Sequence, residues 1–312
     1  MAIRKNPNSK AATAMPKALH FAPSQSDEAN ALSRHMFQED IYTGIFPYHF
    51  ARGDENKIFI LGEEQEKQKL FALFDSLGRG HSYSTEDSAR DAVDQIALRL
   101  AHYGVALFEI VKNSENSSVV LSSFNPDFAW RLPAFYLQIA PRYAWTHTDR
   151  KYALLKKNEV WRVTLPATLG SVQQYRAMLS GLSAWSVMGP DFLEAELEKK
   201  RRFPSDFVVA DYHRMLQVHQ YRVTRRWGWI KRDWSLDYVT EFYQFHRFLT
   251  FRWAQAVLRD HIVSELNALT ARLNIKAKIH LQKLASPEEI LDIRGKMKQG
   301  LLDFAGAAKA LA

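Results

Sequence analysis

The sequence predicts an α+β fold in two unequal parts. Strands and hairpins run up to about residue 190, and a mostly helical half built around one long helix follows. Three observations predict this. Ala89, Val93, Ile96, Leu100 and Tyr103 recur at spacings of four and three, which puts them on one helix face, and Gly104 stops the run. A continuous apolar stretch, Val105 to Val111, follows at once, and the polar turn KNSENS joins it to a second strand, SVVLSSF. From Ser235 to Leu273 no Gly or Pro interrupts a periodic aromatic and aliphatic pattern. As a helix at 1.5 Å per residue it would span roughly 58 Å.

Residues 1–30 are polar, rich in Ala, Ser, Asn and Pro, and read as a flexible arm, because such composition buries too little apolar area to offset the entropy of ordering. Residues 31–190 read as the α+β domain and residues 191–312 as the mainly helical region, with the long helix near 235–273. Within the first of these, residues 31–56 look irregular, with Gly, Pro and Asp-Glu-Asn breakers. Lys57 to Leu61 reads as a short strand. The next helix carries Glu63, Glu64 and Glu66 at its start, where the helix dipole favours acids, and an apolar stripe of Leu70, Phe74 and Leu77. Ser84 or Thr85 can cap the helix that ends at Gly104. Residues 125–145 are rich in Pro and aromatics and suit irregular chain with strand pieces. KYALL and EVWRVTL resemble a further hairpin turning at Lys156-Lys157-Asn158. Ser171 caps a helix with Tyr175, Met178, Leu179 and Leu182 on one side.

In the helical half, DFLEAELEKKRR reads as a short charged helix stopped before Pro204. Ser205 or Asp206 caps a second, ending near Tyr221. Beyond the long helix, Ile275, Ala277, Ile279 and Leu281 alternate as a strand. Ser286-Pro287-Glu288-Glu289 combines a cap, a proline at the first helical position and a Glu three after the cap, and Gly300 ends that helix. Its stripe is Ile290, Ile293 and Met297.

Composition bounds the function. Hydrophobic residues make up 46% and charged residues 24%, values of a globular chain rather than a disordered one. Lys plus Arg is 42 against 34 Asp plus Glu, a net charge of +8, and there is no cysteine. Disulfides, thiolate metal sites and cysteine nucleophiles are therefore excluded. No segment approaches the ~20 consecutive apolar residues that span a bilayer. The eleven histidines are scattered without H-E-x-x-H spacing. LGRGHS, Leu77 to Ser82, lacks the spacing of a phosphate loop and suits a helix stop and turn. Glu109 sits inside an apolar strand, so it either points outward by alternation, makes a structural ion pair, or does chemistry.

The best binding candidate is the basic aromatic link over residues 222–234. Arg222, Arg225, Arg226, Lys231 and Arg232 stand against Asp233 alone, interleaved with Trp227, Trp229 and Trp234. Cations contact phosphates and indoles stack, so the mix suits nucleic acid. The alternative is that the tryptophans pack in a core or subunit interface while the cations reach solvent. In the long helix Phe242, Phe245, Leu249 and Trp253 form one stripe and Phe248 and Phe251 lie off it. A helix apolar on several sides is surrounded by protein, which points to Phe242, Phe245, Phe248 and Trp253 as a subunit interface.

Several pieces, taken in order, resemble the portal proteins of tailed phages. In that family a helix leads into a strand of form G-x-A-x-x-E-I, then a hairpin strand and an L-x-x-x-x-P step; LRLAHYGVALFEIV and VVLSSFNPD match here. EVWRVTLPATLGSVQQYRAMLSGL is similar to the family's strand, Pro/Gly turn and helix. LRDHIVSELNALTARL, IKAKIHL and SPEEILDIRGKMKQGLLDF are similar to its late helix, strand and closing helix. The resemblance covers mainly residues 85–185 and 255–305. The chain is short for the family: stem and clip elements would be compressed into residues 190–235, and no crown follows. The resemblance implies a portal-like fold with a wing-type α+β region. It further implies a homo-oligomeric ring at one vertex of a viral head, conducting double-stranded DNA without sequence specificity. It implies no active site and no cofactor, capsid, terminase and tail-adaptor proteins as partners, no membrane, and a location in the virion or host cytoplasm. The competing expectations are a nucleic-acid-binding protein of another class that uses the 222–234 link, and an enzyme with a site assembled from scattered acids and histidines.

Overall fold

The computed structural model describes residues 15–21, 31–46, 57–77, 84–112, 119–146, 148–184, 209–230 and 240–311. The expected charged helix over 191–202, the caps Ser205 and Asp206 and the glycines of LGRGHS lie outside these residues. The fold class is as expected, mixed α and β with a helical C-terminal half. In chain order the elements are α1 (Leu32–Thr43), β1 (Ile58–Leu61), α2 (Glu64–Asp75), α3 (Thr85–Tyr103), β2 (Val105–Lys112), β3 (Val119–Phe124), β4 (Ala129–Arg131), β5 (Phe135–Ile139), β6 (Tyr152–Lys156), β7 (Val160–Thr164), α4 (Val172–Ser183), α5 (Val209–Val223), α6 (Glu241–Arg272), β8 (Lys278–Leu281), α7 (Pro287–Lys298) and α8 (Phe304–Leu311). The strands form three antiparallel sheets, ordered β1-β8, β3-β2-β7 and β4-β5-β6.

The local signals work where they are strong. Ser84 Oγ accepts from Asp87 N–H at 3.1 Å and opens α3. Gly104 closes it with φ +72°, and its N–H donates to the Leu100 carbonyl at 2.8 Å. A Cβ there would lie 3.1 Å from the Tyr175 ring, so both the conformation and the space call for glycine. Ser286 and Glu289 form the reciprocal cap of α7. The apolar stripes of α3, α4 and α7 are buried as spaced, apart from Tyr103 at the end of α3, which is half-buried.

Two expectations are corrected. Residues 31–56 are not all irregular, since α1 occupies Leu32–Thr43. It has no side-chain N-cap and no acid in its first turn, so local signals are missing. Packing holds it: Phe37, Ile41 and Ile45, one turn apart, are fully buried in the main core. The second correction is the hairpin expected from KYALL and EVWRVTL. β6 pairs with β5, whereas β7 pairs with β2, Phe108 facing Trp161. A single 3-10 turn, Lys157–Glu159, carries the chain from one sheet to the other. β7 brings Trp161 and Val163 to the main core, while β6 offers the smaller Ala153 and Leu155 to two satellite clusters.

The long helix is unbroken for 32 residues, about 48 Å, and is capped by Thr240. Residues 235–239, expected to start it, lie outside the described residues. α8 was not expected from sequence; the Asp303 carboxylate accepts from Gly306 N–H at 2.7 Å and opens it. Among the described residues no helix is long and apolar enough to cross a membrane.

Glu109 does not point outward: it is buried and paired, with backbone N–H groups in place of a cation. It is 3% exposed and accepts the backbone N–H groups of Lys17 at 3.0 Å and Ala18 at 2.8 Å. Gln138, fully buried, exchanges two hydrogen bonds with the backbone of Leu19, both at 2.8 Å. Met15–Phe21, expected within a flexible arm, is thus seated across both three-stranded sheets. Its partners lie about a hundred residues away in sequence, so no local pattern announces it.

Candidate nucleic-acid and subunit interfaces

The basic aromatic link begins where α5 ends. Trp227 and Gly228 donate back to the Thr224 carbonyl at 3.0 and 2.9 Å, which turns the chain. Gly228 takes φ +72° and lies against α6: a Cβ would sit 2.6 Å from the Arg247 carbonyl oxygen. This close approach drives the two tryptophans inward. Trp227 and Trp229 are among the largest fully buried side chains. Both meet Phe37 edge-on, with ring centroids 5.7 and 5.5 Å away. The Trp229 indole N–H donates to Asp40 at 2.8 Å, so its one polar atom is satisfied inside.

Arg247 of α6 secures the same turn. It is 4% exposed, and its guanidinium donates to the carbonyls of Trp229 (2.8 Å) and Tyr221 (3.4 Å) and to the Thr224 hydroxyl (3.2 Å). The guanidinium also lies 4.4 Å from the Tyr221 ring centroid. Sequence reading placed no role on Arg247 or Asp40; an arginine amid aromatics in a buried helix is the signal that could have raised it.

The structure therefore divides the link. Trp227 and Trp229 are core, as the alternative reading had it. Of its cations, Arg222, Arg225 and Arg226 are exposed, and Arg226 also donates to Gln174 at 3.2 Å. Stacking of bases on Trp227 or Trp229 is closed off, and a phosphate-contacting role for the three arginines remains sterically open. Lys231, Arg232 and Trp234 lie outside the described residues.

The aromatic residues of α6 also divide. Phe242 and Phe248 are 44% and 40% exposed. Phe245 is half-buried against Leu249, Ile293, Met297 and Ala307, and Trp253 is half-buried against the main core. Phe304 of α8 packs on Phe242 and Phe245, with ring centroids 6.3 and 5.6 Å away. Beyond Ala254 the helix leaves no large apolar side chain exposed, and Leu258, Ile262 and Leu266 are fully buried.

Other polar groups serve the fold. His219 and His261 meet backbone carbonyls of Gly181 and Thr164 at 2.9 and 2.8 Å. Among the described residues no group of three His, Asp or Glu could hold a metal ion. Asp94 lines a cavity of about 300 Å³ beside Tyr42, Phe46 and Arg90, and burial pushes its carboxyl up to about 7.

No family model matches the chain, and no curated protein matches it in sequence. Two solved structures are similar in chain trace. A chain in the neck of an empty gene transfer agent particle, computed with C6 symmetry, superposes with a TM-score of 0.49 at 10% identity, covering 87% of this chain and 85% of that one. A chain in the virion of the native gene transfer agent particle superposes with a TM-score of 0.47 at 10% identity, covering 86% and 84%.

Proposed function

We propose that the chain is a structural virion component of portal type, a subunit of a homo-oligomeric ring in the head–tail connector that conducts double-stranded DNA into and out of a phage head. The observation that carries this reading is the unequal covering of α6. Its C-terminal half leaves no large apolar side chain exposed, whereas its N-terminal half leaves Phe242, Tyr243 and Phe248 each 40% or more exposed. Aromatic rings gain most when removed from water, so a neighbouring subunit is the natural cover. The pieces that resemble portal proteins support the same reading: GVALFEIV forms a central buried strand, and Ser171 and Ser286 cap the helices of the two later pieces. The job needs no active site and no cofactor. Capsid, terminase and tail-adaptor proteins would be its neighbours, in the virion and in the host cytoplasm.

Light scattering and negative-stain images of the purified full chain test this. A closed ring is the expected result. A single-chain mass at working concentration would overturn it.

The second reading, a nucleic-acid-binding protein of another class, draws on the exposed Arg222, Arg225 and Arg226 alone. It predicts salt-dependent DNA binding by a protein that stays a single chain.

A further inference from the structure

We infer that the outward face of the β4-β5-β6 sheet is the second half of the subunit contact, and that it receives the α6–α8 aromatic surface of the next copy. This rests on the ring reading above.

The register builds the face. Trp130, Leu137 and Leu154 stand in one row across the three strands, and Ile139 and Tyr152 form the next pair. Their strand neighbours Tyr136, Gln138, Ala153 and Leu155 point the other way and are buried. The outward side chains are not covered: Tyr152 is 66% exposed, Leu154 50% and Trp130 48%, with Phe135 and Ile139 close behind. Alternating strands of a solvated sheet carry polar residues on the outside, and this one carries a second apolar face. Its open apolar area is on the order of 500 Å², the size of the largest patch an ordinary monomer shows. It is also close to the apolar share of the roughly 800 Å² that each partner of a stable interface buries.

Charge selects the occupant. Lys156 shares the outward row with Phe135, and Arg142, Arg150, Lys151 and Lys157 flank the three strands against Asp149 alone, a net of 5 − 1 = +4, while Arg131 stands in the inward row with Tyr136 and Leu155. A two-fold contact would lay this face on itself and bring like rims together. The match must be a different surface. The same chain offers one: Phe242 and Phe248 of α6 with Leu301 and Phe304, all exposed. On its α7–α8 side, residues 287–311 hold four acids, Glu288, Glu289, Asp292 and Asp303, and four cations, Arg294, Lys296, Lys298 and Lys309, for no net charge, while Arg252, Arg259 and Lys283 line the hollow beside Phe248. The α7–α8 side brings four acids to the basic rim, where a copy of the sheet face would bring Asp149 alone. Two unlike faces on one chain make a head-to-tail contact, and such contacts close into rings when the rotation allows.

The test uses the full chain. Tyr152→Glu and Leu154→Glu together change only exposed side chains, so circular dichroism should stay as in the parent. The native mass should fall from that of the assembly to that of one chain. An unchanged assembly would overturn the assignment of this face and leave the ring standing; a parent that is already a single chain would overturn the ring itself. An intact assembly that loses only DNA binding would give the face to nucleic acid and also overturn the inference. Because the parent has no cysteine, a second measurement is clean. A Leu154→Cys chain mixed with a Leu301→Cys chain and treated with a flexible bismaleimide should give the mixed product above either self-product. Self-linking of the Leu154→Cys chain alone, or no linking, would count against head-to-tail docking.

Discussion

Arg247 donates from Nη2 to the carbonyl oxygen of Trp229 at 2.8 Å, so the middle of the protein's most basic turn is held by a buried cation rather than by an acid. The same guanidinium serves Tyr221 and Thr224. Arg247→Ala should destabilise the fold by about 3 kcal/mol, because three acceptors lose a charged donor inside the protein. Lys should not rescue it, since one ammonium on a flexible stem cannot match the planar fork. The urea midpoint measures the loss, and the near-ultraviolet dichroism of Trp227 and Trp229 should fall with it.

Gly228 should be as sensitive for a different reason. A side chain there needs φ +72° and sits 2.6 Å from a backbone oxygen of α6. Gly228→Ala should cost roughly 2–4 kcal/mol through strain and displacement of the turn from the helix. Thermal unfolding compares it with Gly300→Ala, where φ is also positive but nothing stands within 4 Å of the Cβ. The difference between the two isolates the close approach.

Glu109 holds the N-terminal segment through the Lys17 and Ala18 N–H groups. Glu109→Ala leaves those donors without their acceptor inside the fold, at a cost of about 2 kcal/mol. The expected outcome is faster tryptic cleavage after Lys17 with the rest of the digestion pattern unchanged. A cleavage rate equal to the parent's would remove the clamp.

Two buried groups give opposite pH limbs. Burial, aided by His35, Arg34 and Arg99, holds the His102 imidazole down to about 4, from an ordinary 6.5. Between pH 6.5 and 4 the unfolded chain binds a proton that the folded chain refuses, so stability falls as pH falls through that window. Burial, with Asp91 adding to it and Arg90 opposing it, raises Asp94 to about 7 from 3.8, so its contribution falls as pH rises from 3.8 to 7. His102→Gln should flatten the acid limb and Asp94→Asn the neutral one, each by roughly 1–2 kcal/mol once solvent screening is included. Denaturant midpoints across pH 4 to 8 read both.

The exposed Arg222, Arg225 and Arg226 make a salt prediction. Replacing all three by Ala should reduce the slope of log affinity for duplex DNA against log salt by up to ~2.7, about 0.9 for each phosphate contact removed. Titrations at several salt concentrations with the assembled protein measure it, and an unchanged slope would clear these arginines of DNA contact.

Much of the fold was legible because its signals are local. Ser84, Gly104, Ser171, Ser286 and Gly300 mark helix ends through bonds to residues three or four away, and the stripes of α3, α4 and α7 follow the helical period. α1 was not legible, because it lacks caps and is held by Phe37 meeting tryptophans some 190 residues later. The β6–β7 pair misled because alternation shows which face of a strand is apolar but not which strand lies beside it. At the candidate interfaces, composition located the arginines of the link. It could not say that Trp227 and Trp229 turn inward, nor that Trp130 and Tyr152 stay outside.

By itself the sequence determined the fold class, most helix boundaries, the long helix and the surplus of positive charge, since these depend on short-range hydrogen bonding and on counts. Only the tertiary structure decided which aromatics fill the core and which stay exposed. That choice depends on how much room distant segments leave one another: Gly228 pressed on α6 draws two indoles inside, and the outward row of β4, β5 and β6 finds no segment of the described chain to cover it.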